Sequence, residues 1–412
     1  MRKMTARRMT QDRADIDNRT RAQAGRIHAG RIHAGRLFPG GGEAPLEDQV
    51  IEIVDGVIAA IRPAGDGDPG DAHVFENVAP GFIDLQINGA GGVLFNDTPD
   101  AATLARMVQA ARKGGTCHLL PTFITAPGTA FTAALDAVAA WDGPEILGVH
   151  LEGPFLSPAK PGIHPVEAIR PMTDDDVSRL EAFAATYPGR VLLTLAPEEV
   201  DPRHMERLAA AGVILFAGHS NATAEQMNRA VGAGLRGVTH LFNACSQINA
   251  RDPGVVGTAL MDERLVAGII ADGHHVDVRN LALAGKMMAG RLCLVSDSMP
   301  TFGCALDGFN IGDRRIQLVD GRLQADDGTL GGAHLGLDEA VRIMVGEAGI
   351  ALPEALDMAS GIPASALGLD GLYGRIDIGR PASLTCLDGS LATRAVIVGG
   401  FISGQEGRHA GA

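Results

Sequence analysis

Aromatic side chains are scarce, at 4% of the chain with one Trp and two Tyr. That scarcity excludes a base-stacking platform and an aromatic-lined polysaccharide groove. Basic residues are outnumbered, 35 Lys+Arg against 49 Asp+Glu for a formal charge of −14, whereas a nucleic-acid-binding protein needs a basic face. No apolar run approaches the roughly 18 residues that a membrane span requires. The five cysteines are odd in number and form no Cys-x-x-Cys pair, which fits a reducing cytoplasm better than a disulfide framework. A dinucleotide fingerprint is missing as well: the glycines of NGAGG (88–92) follow a strand-like run but lack G-x-G-x-x-G spacing. What remains is a soluble, acidic protein acting on small molecules, with neither nucleic acid nor membrane as partner.

The chain has 412 residues, 46% of them hydrophobic. That is enough for two or three domains, or for one large barrel with a satellite. The charge is unevenly spread. Residues 1–36 carry ten Lys+Arg and three Asp, a net of +7, so −21 falls on the remainder. This start contains a tandem repeat, AGRIH-AGRIH-AGRLF (24–38), of which only the third copy leads into a folded-looking stretch. Residues 1–35 are read as a disordered or over-extended start. A targeting peptide interrupted by Asp12, Asp15 and Asp17 and a polyanion-binding arm are the alternatives.

Two short strands around an Asp55-Gly56 turn are expected near residues 48–62, and a second hairpin near Asp388-Gly389. Neither piece can bury a core alone, so residues 36–79 and 378–408 are expected to join into one small β-sandwich domain. Between them, over 80–377, short apolar runs alternate with helical patterns such as AATLARMVQAARKG (101–114) and AEQMNRAVGAG (224–234). The runs are 81–88, 116–124, 146–152, 191–197, 213–219, 237–243, 265–272 and 292–297. Eight buried-type strands separated by helices point to an α/β protein built on a (β/α)8 TIM-like barrel, with a doubly wound open sheet as the competitor.

Polar residues cluster at the C-terminal ends of six of these runs: Gln86 and Asn88, Glu152, His219, His240 with Asn243, Asp272 with His274 and His275, and Asp297. A barrel brings those ends to one rim, where active sites are built. One such histidine alone would be an ordinary satisfied core residue; six coincident positions are not. Glu152, His219 and His240 suit Zn²⁺ or Fe²⁺, and three protein ligands leave room for water and substrate. Asp297 is then placed to take and return a proton, its plainer role being a helix N-cap. Gln86 and Asn88 are amides and poor ligands for a transition metal, so one metal ion per subunit is expected. His150 shares a strand face with Glu152 and is read as supporting the site or facing substrate.

The stretches PGFIDLQINGAGG (80–92), HLEGPFLSPAKPGIHP (150–165), AGHSNAT (217–223), THLFNACSQ (239–247), RDPGVVG (251–257), IADGHHVD (270–277), CLVSDSM (293–299) and GTLGGA (328–333) resemble the amidohydrolase superfamily and, within it, the N-acetylglucosamine-6-phosphate deacetylase family. The resemblance covers about residues 36–405. It implies Glu152, His219 and His240 as ligands of one divalent metal, zinc in preference to iron, with Asp297 as general base and acid. It implies His164 as a donor to the amide carbonyl or its oxyanion. Asn243 and Ala244 would hold the sugar phosphate, and Arg251 and His275 would meet its phosphate. The Arg would come from a neighbouring subunit, hence a homodimer or dimer of dimers; its plainer role is a surface ion pair. The activity implied is removal of acetate from N-acetylglucosamine 6-phosphate, with the galactosamine epimer or another N-acyl amide as alternatives. Two departures, Cys245-Ser246 for the family's Met-Pro and Ser296-Asp297-Ser298 for its Thr-Asp-Ala, lie beside the site and leave the sugar open.

Overall fold

A computed structural model of the chain describes residues 27–65 and 72–404. The N-terminal part forms β1 (Ile27–His28), β2 (Arg31–Leu37), β3 (Leu46–Val54), β4 (Val57–Pro63) and β5 (His73–Pro80). The eight barrel strands follow: β6 (Phe82–Ile87), β7 (Thr116–Ile124), β8 (Gly148–Glu152), β9 (Arg190–Leu195), β10 (Ile214–Ala217), β11 (Leu235–Val238), β12 (Val266–Ile269) and β13 (Leu292–Leu294). They pair in sequential order, all in parallel. The ring closes beyond β13, where Asp297 N–H donates to Gln86 O (2.9 Å) and Asn88 N–H to Ser298 O (2.9 Å). These strands are apolar along their length because both faces are buried, one against the ring's interior and one against the helices. Helices start where a side chain satisfies the first free N–H groups: Asp100 caps Ala101–Ala111, and reciprocal boxes from Thr173 with Asp176 and Thr223 with Gln226 start two others.

Two features differ from the sequence reading. The basic start was expected to stay outside the fold through residue 35, yet β1 and β2 occupy 27–28 and 31–37; residues 1–26 lie outside the described residues. The reason is local: Ile32, Ala34 and Leu37 are buried while Arg31, His33 and Arg36 between and beside them are only half-buried, so the second repeat copy enters a strand despite its charge. The other feature is a four-stranded antiparallel sheet inserted after β13: β14 (Gly308–Ile311), β15 (Arg314–Val319), β16 (Arg322–Ala325) and β17 (Leu330–Ala333). Its Phe309, Ile311, Ile316 and Leu323 share a small core with Leu94, Ile124, Ile163 and Met299 from the barrel rim.

The C-terminal strands β18 (Leu384–Leu387), β19 (Thr393–Val398) and β20 (Phe401–Gly404) complete the terminal sheet, in the order β1-β20-β19-β18-β5-β2-β3-β4. Residues from both ends of that order, Ile58 and Ile402 among them, share one apolar cluster separate from the barrel core. The sheet therefore curls over itself as a sandwich does. His118 of β7 ties the two bodies, one ring nitrogen 2.7 Å from Pro144 O and the other 2.7 Å from Ser383 Oγ. Among the described residues, no helix is long and apolar enough to cross a membrane.

The strand that carries Glu152 begins at a position where only glycine fits. A Cβ on Gly148 would press on the Arg190 carbonyl oxygen of β9 and lie 2.7 Å from the carbonyl carbon, backbone that cannot yield without breaking the β8–β9 pairing. Gly148→Ala is expected to cost about 1–3 kcal/mol and to lower the thermal unfolding midpoint by several degrees. An unchanged midpoint would show that the two strands can part.

Candidate active site

The C-terminal ends of β8, β10, β11 and β13 deliver four ionisable side chains to one point. Glu152 ends β8, His219 lies two residues past β10, His240 two past β11 and Asp297 three past β13. His219, His240 and Asp297 have φ of 47°, 31° and 47°, left-handed values that non-glycine residues rarely adopt. Each sits where the chain turns sharply off its strand, and the turn aims the side chain inward. Strain of this kind, of order 1 kcal/mol or more per residue, survives only where the surroundings enforce it.

His219 Nε2 and His240 Nε2 lie 3.2 and 2.9 Å from the same atom, Glu152 Oε1, and 3.1 Å from each other. His219 Nδ1 lies 2.9 Å from Lys160 O, so it must carry the proton and leave Nε2 as a lone pair facing the carboxylate. Three acceptors in a triangle this small repel one another, and a single proton cannot serve all three edges. The sides match the ~3.3 Å edge of a tetrahedron with ~2.0 Å bonds to nitrogen and oxygen. Glu152, His164 and His219 also place ligand atoms within 4.8 Å of one another, but His164 Nε2 is 3.9 Å from Glu152 Oε2, so the triangle with His240 is the tighter. Burial alone would raise the Glu152 carboxyl; the His219, His240 and His164 imidazoles gathered around it hold it well below the usual carboxylate range.

Asp297 faces this triangle. Its Oδ1 accepts from Gln86 Nε2 (3.0 Å) and Asn88 Nδ2 (2.6 Å), and Gln86 Nε2 also donates to Glu152 Oε1 (3.2 Å). The two amides thus hold the two carboxylates. Burial, reinforced by the Glu152 charge, pushes the Asp297 carboxyl up to about 6. His164 Nδ1 is 2.9 Å from Thr125 Oγ1, and that hydroxyl is also 3.1 Å from Glu152 O. Thr125 has one proton for two claimants. If the proton goes to Nδ1, Nε2–H of His164 becomes a donor into the cavity; burial and the neighbouring His219 drive the ring pKa down to about 3, so it is neutral.

These groups line a cavity of about 400 Å³ that also takes in His164, Asn243, Ala244 and His275. Asn243 Nδ2 is buried with no partner among the described residues, a donor available to a ligand. His275 gives Nδ1–H to Asp272 Oδ2 (2.7 Å) and so turns Nε2 to the cavity, whereas His274 accepts from Arg322 Nε (3.0 Å) and points away. Arg251 is the exception: it is exposed and does not line the cavity of its own chain. His150 does not face substrate. It is buried beneath the site, with Nδ1–H donated to Leu85 O (3.0 Å) and Nε2 2.7 Å from Thr194 Oγ1. Thr125, Lys160 and the donor roles of Gln86 and Asn88 escaped sequence reading, because each depends on what lies across the rim.

Comparison with known proteins bears on this geometry. An amidohydrolase-family profile matches residues 77–406. An N-acetylgalactosamine-6-phosphate deacetylase of Shewanella sp. (strain ANA-3) is 37% identical over 364 residues, 86% of this chain and 91% of the relative. An N-acetylglucosamine-6-phosphate deacetylase of Haemophilus influenzae is 34% identical over 366 residues, 86% of this chain and 94% of the relative. The crystal structure of N-acetylglucosamine-6-phosphate deacetylase from Pasteurella multocida superposes with a TM-score of 0.85 at 33% identity, over 91% of this chain and 100% of that one.

A buried carboxyl behind the site gives a stability signature. Asp84 Oδ1 accepts from Gln86 N–H (3.2 Å) and Ser296 N–H (3.1 Å), while Oδ2 has no partner among the described residues. Burial outweighs those bonds and, with the Asp297 charge, raises its carboxyl from 3.8 to about 7. A raised folded-state pKa means that the folded protein binds the extra proton. The stability it confers is present below pH 3.8 and lost as pH climbs through about 7, up to ~4 kcal/mol. In metal-free protein the stability advantage of Asp84→Asn over wild type should widen between pH 4 and 7 and then level. A gap that stays flat across this range in thermal melts would refute the assignment.

Proposed function

Since the chain belongs to the amidohydrolase family, we propose that it is a metal-dependent hydrolase that removes acetate from N-acetylglucosamine 6-phosphate to give glucosamine 6-phosphate. The observation that carries the reading is the triangle of Glu152 Oε1 and the Nε2 atoms of His219 and His240 with Asp297 beside it. Those three side chains would hold one divalent ion, zinc or iron by their ligand chemistry. When bound, such an ion supplies Lewis acidity to the amide carbonyl and to an attacking water.

The chain's own residues do the rest. In the tautomer that carries its proton on Nε2, His164 binds the carbonyl oxygen and strengthens its hold as negative charge develops there. Asp297, fixed through Oδ1 by Gln86 and Asn88, keeps its other oxygen for the attacking water. It takes that proton and returns it to the amine, which leaves poorly without one. Asn243, Ala244 and His275 hold the sugar phosphate. Arg251, turned away from its own cavity, would serve the cavity of a neighbouring subunit in a homodimer or dimer of dimers. A cytoplasmic setting agrees with five free cysteines, four of them buried. The Shewanella relative's name supports N-acetylgalactosamine 6-phosphate as the second candidate substrate.

Acetate release from the two 6-phosphorylated N-acetylhexosamines, using chelated and metal-reconstituted protein, tests the reaction; no release from either after reconstitution would overturn it. Asp297→Asn should lower turnover by about 10²–10⁴-fold with metal content retained, and a near-normal rate would remove its acid–base role. Glu152→Ala should lose metal and activity together, whereas full occupancy by elemental analysis would contradict the ligand assignment.

A further inference from the structure

Outside the acid–base and ligand groups, the cavity wall carries a single permanent cation. Among its described lining residues only Lys160 is a Lys or Arg. Its ammonium has no hydrogen bond or ion pair among the described residues. The ammonium is therefore left available to a ligand in the cavity. The backbone beneath it is fixed. Lys160 O accepts from His219 Nδ1 (2.9 Å), Lys160 N–H donates to Ser157 O (2.9 Å), and Gly162, at φ 57°, packs against the His219 ring. The side chain is therefore launched from a rigid point over the metal-ligand candidates. It lines the same cavity as Asn243 and Ala244, on the turn that Cys245 closes with its Sγ 3.0 Å from Asn243 O. On that same turn sit Ala244 and the unpartnered Nδ2 of Asn243.

We infer that Lys160 is a same-subunit anchor for the phosphate of the substrate, setting the preference for a 6-phosphorylated over a free amino sugar. The inference rests on the amino-sugar-phosphate reading. A phosphate dianion entering a body with a formal charge of −21 over residues 37–412, past Glu152 and Asp297, needs a compensating charge on the wall. An ammonium that has given nothing to the fold keeps its whole interaction for the ligand. An Arg251 donated from another subunit would add to this contact, and the Lys160 contact would exist without it.

The test compares Lys160→Met, which keeps the stem and removes the charge, with Lys160→Arg, which keeps the charge. For Lys160→Met, KM for the phosphorylated sugar should rise about 10- to 100-fold, the worth of one charge-assisted contact. The change in kcat should be much smaller, metal content should be retained, and the phosphorylated-over-free preference should fall by the same factor. Lys160→Arg should restore most of the affinity. Equal losses on phosphorylated and free sugar, or a loss confined to kcat, would overturn the anchor and assign Lys160 to holding the His219 loop. Calorimetric binding of inorganic phosphate to both variants separates this from the deacetylase reading. If wild type releases no acetate from any substrate, that reading fails, while weakened phosphate binding by Lys160→Met still upholds the anchor and unchanged binding removes it.

Discussion

Everything at the rim is organised around one electrostatic conflict. A carboxylate oxygen and two imidazole nitrogens are held within 3.2 Å of one another in a buried site, where lone pairs cannot be screened by water. Lys160 O fixes the His219 proton on the far side of the ring, so one proton at most is left to serve the three edges. Such a triangle persists only because the barrel is stiff enough to impose it. Two of its members leave their strands through left-handed turns, and so does the aspartate beside them. A parallel ring closed by hydrogen bonds between Gln86 and Asp297 and between Asn88 and Ser298 can bear that strain. The fold stores the conflict, and a bound metal ion would relieve it.

The amides on β6 solve a second problem that the first creates. Concentrating Glu152 and Asp297 in one buried space sets two carboxylates against each other, which is part of why the Asp297 carboxyl is pushed up to about 6. An imidazole at these positions would compete for metal. Gln86 Nε2 instead donates to both carboxylates, and Asn88 Nδ2 takes a second bond to Asp297 Oδ1. The two amides therefore fix which oxygen of Asp297 is engaged. Asp84 shows the same economy one layer down, where its Oδ1 holds the backbone of Gln86 and Ser296.

The barrel was legible in the sequence because burial on both faces writes each strand as an uninterrupted apolar run; 116–124 is a strand over its whole length. Runs that end in the site were read too long. VILFAGH and GVTHLFN lose their last residues because His219 and His240 leave the strand in order to turn inward, and no propensity records that. The inserted sheet at 308–333 was missed for the opposite reason: its outward-facing Arg and Gln residues hide a period-two pattern in what reads as polar loop. At the basic start, net charge over a long window concealed the buried Ile32, Ala34 and Leu37. Residue types with intrinsic chemistry, His, Glu and Asp, could be nominated from strand ends. Thr125 and Lys160 could not, since a hydroxyl and an ammonium acquire their roles only from partners on other strands.

The inserted sheet also explains why a barrel rim, open by construction, becomes a cavity that suits one sugar. Its core is shared with Leu94, Ile124, Ile163 and Met299 from barrel loops, so it is anchored to the rim by apolar packing. Thr329, Leu330 and Gly332 then form part of the cavity wall opposite Lys160 and His164. Gly332, at φ 71°, allows this approach, since a Cβ there would lie 2.9 Å from Asp297 O. The wall and Asp297 are thus in backbone contact, with Ala333 N–H donating to Asp297 O (2.9 Å). Excluding water on that side strengthens each charge inside. Enclosure and the buried charged cluster are consequently built by the same few residues.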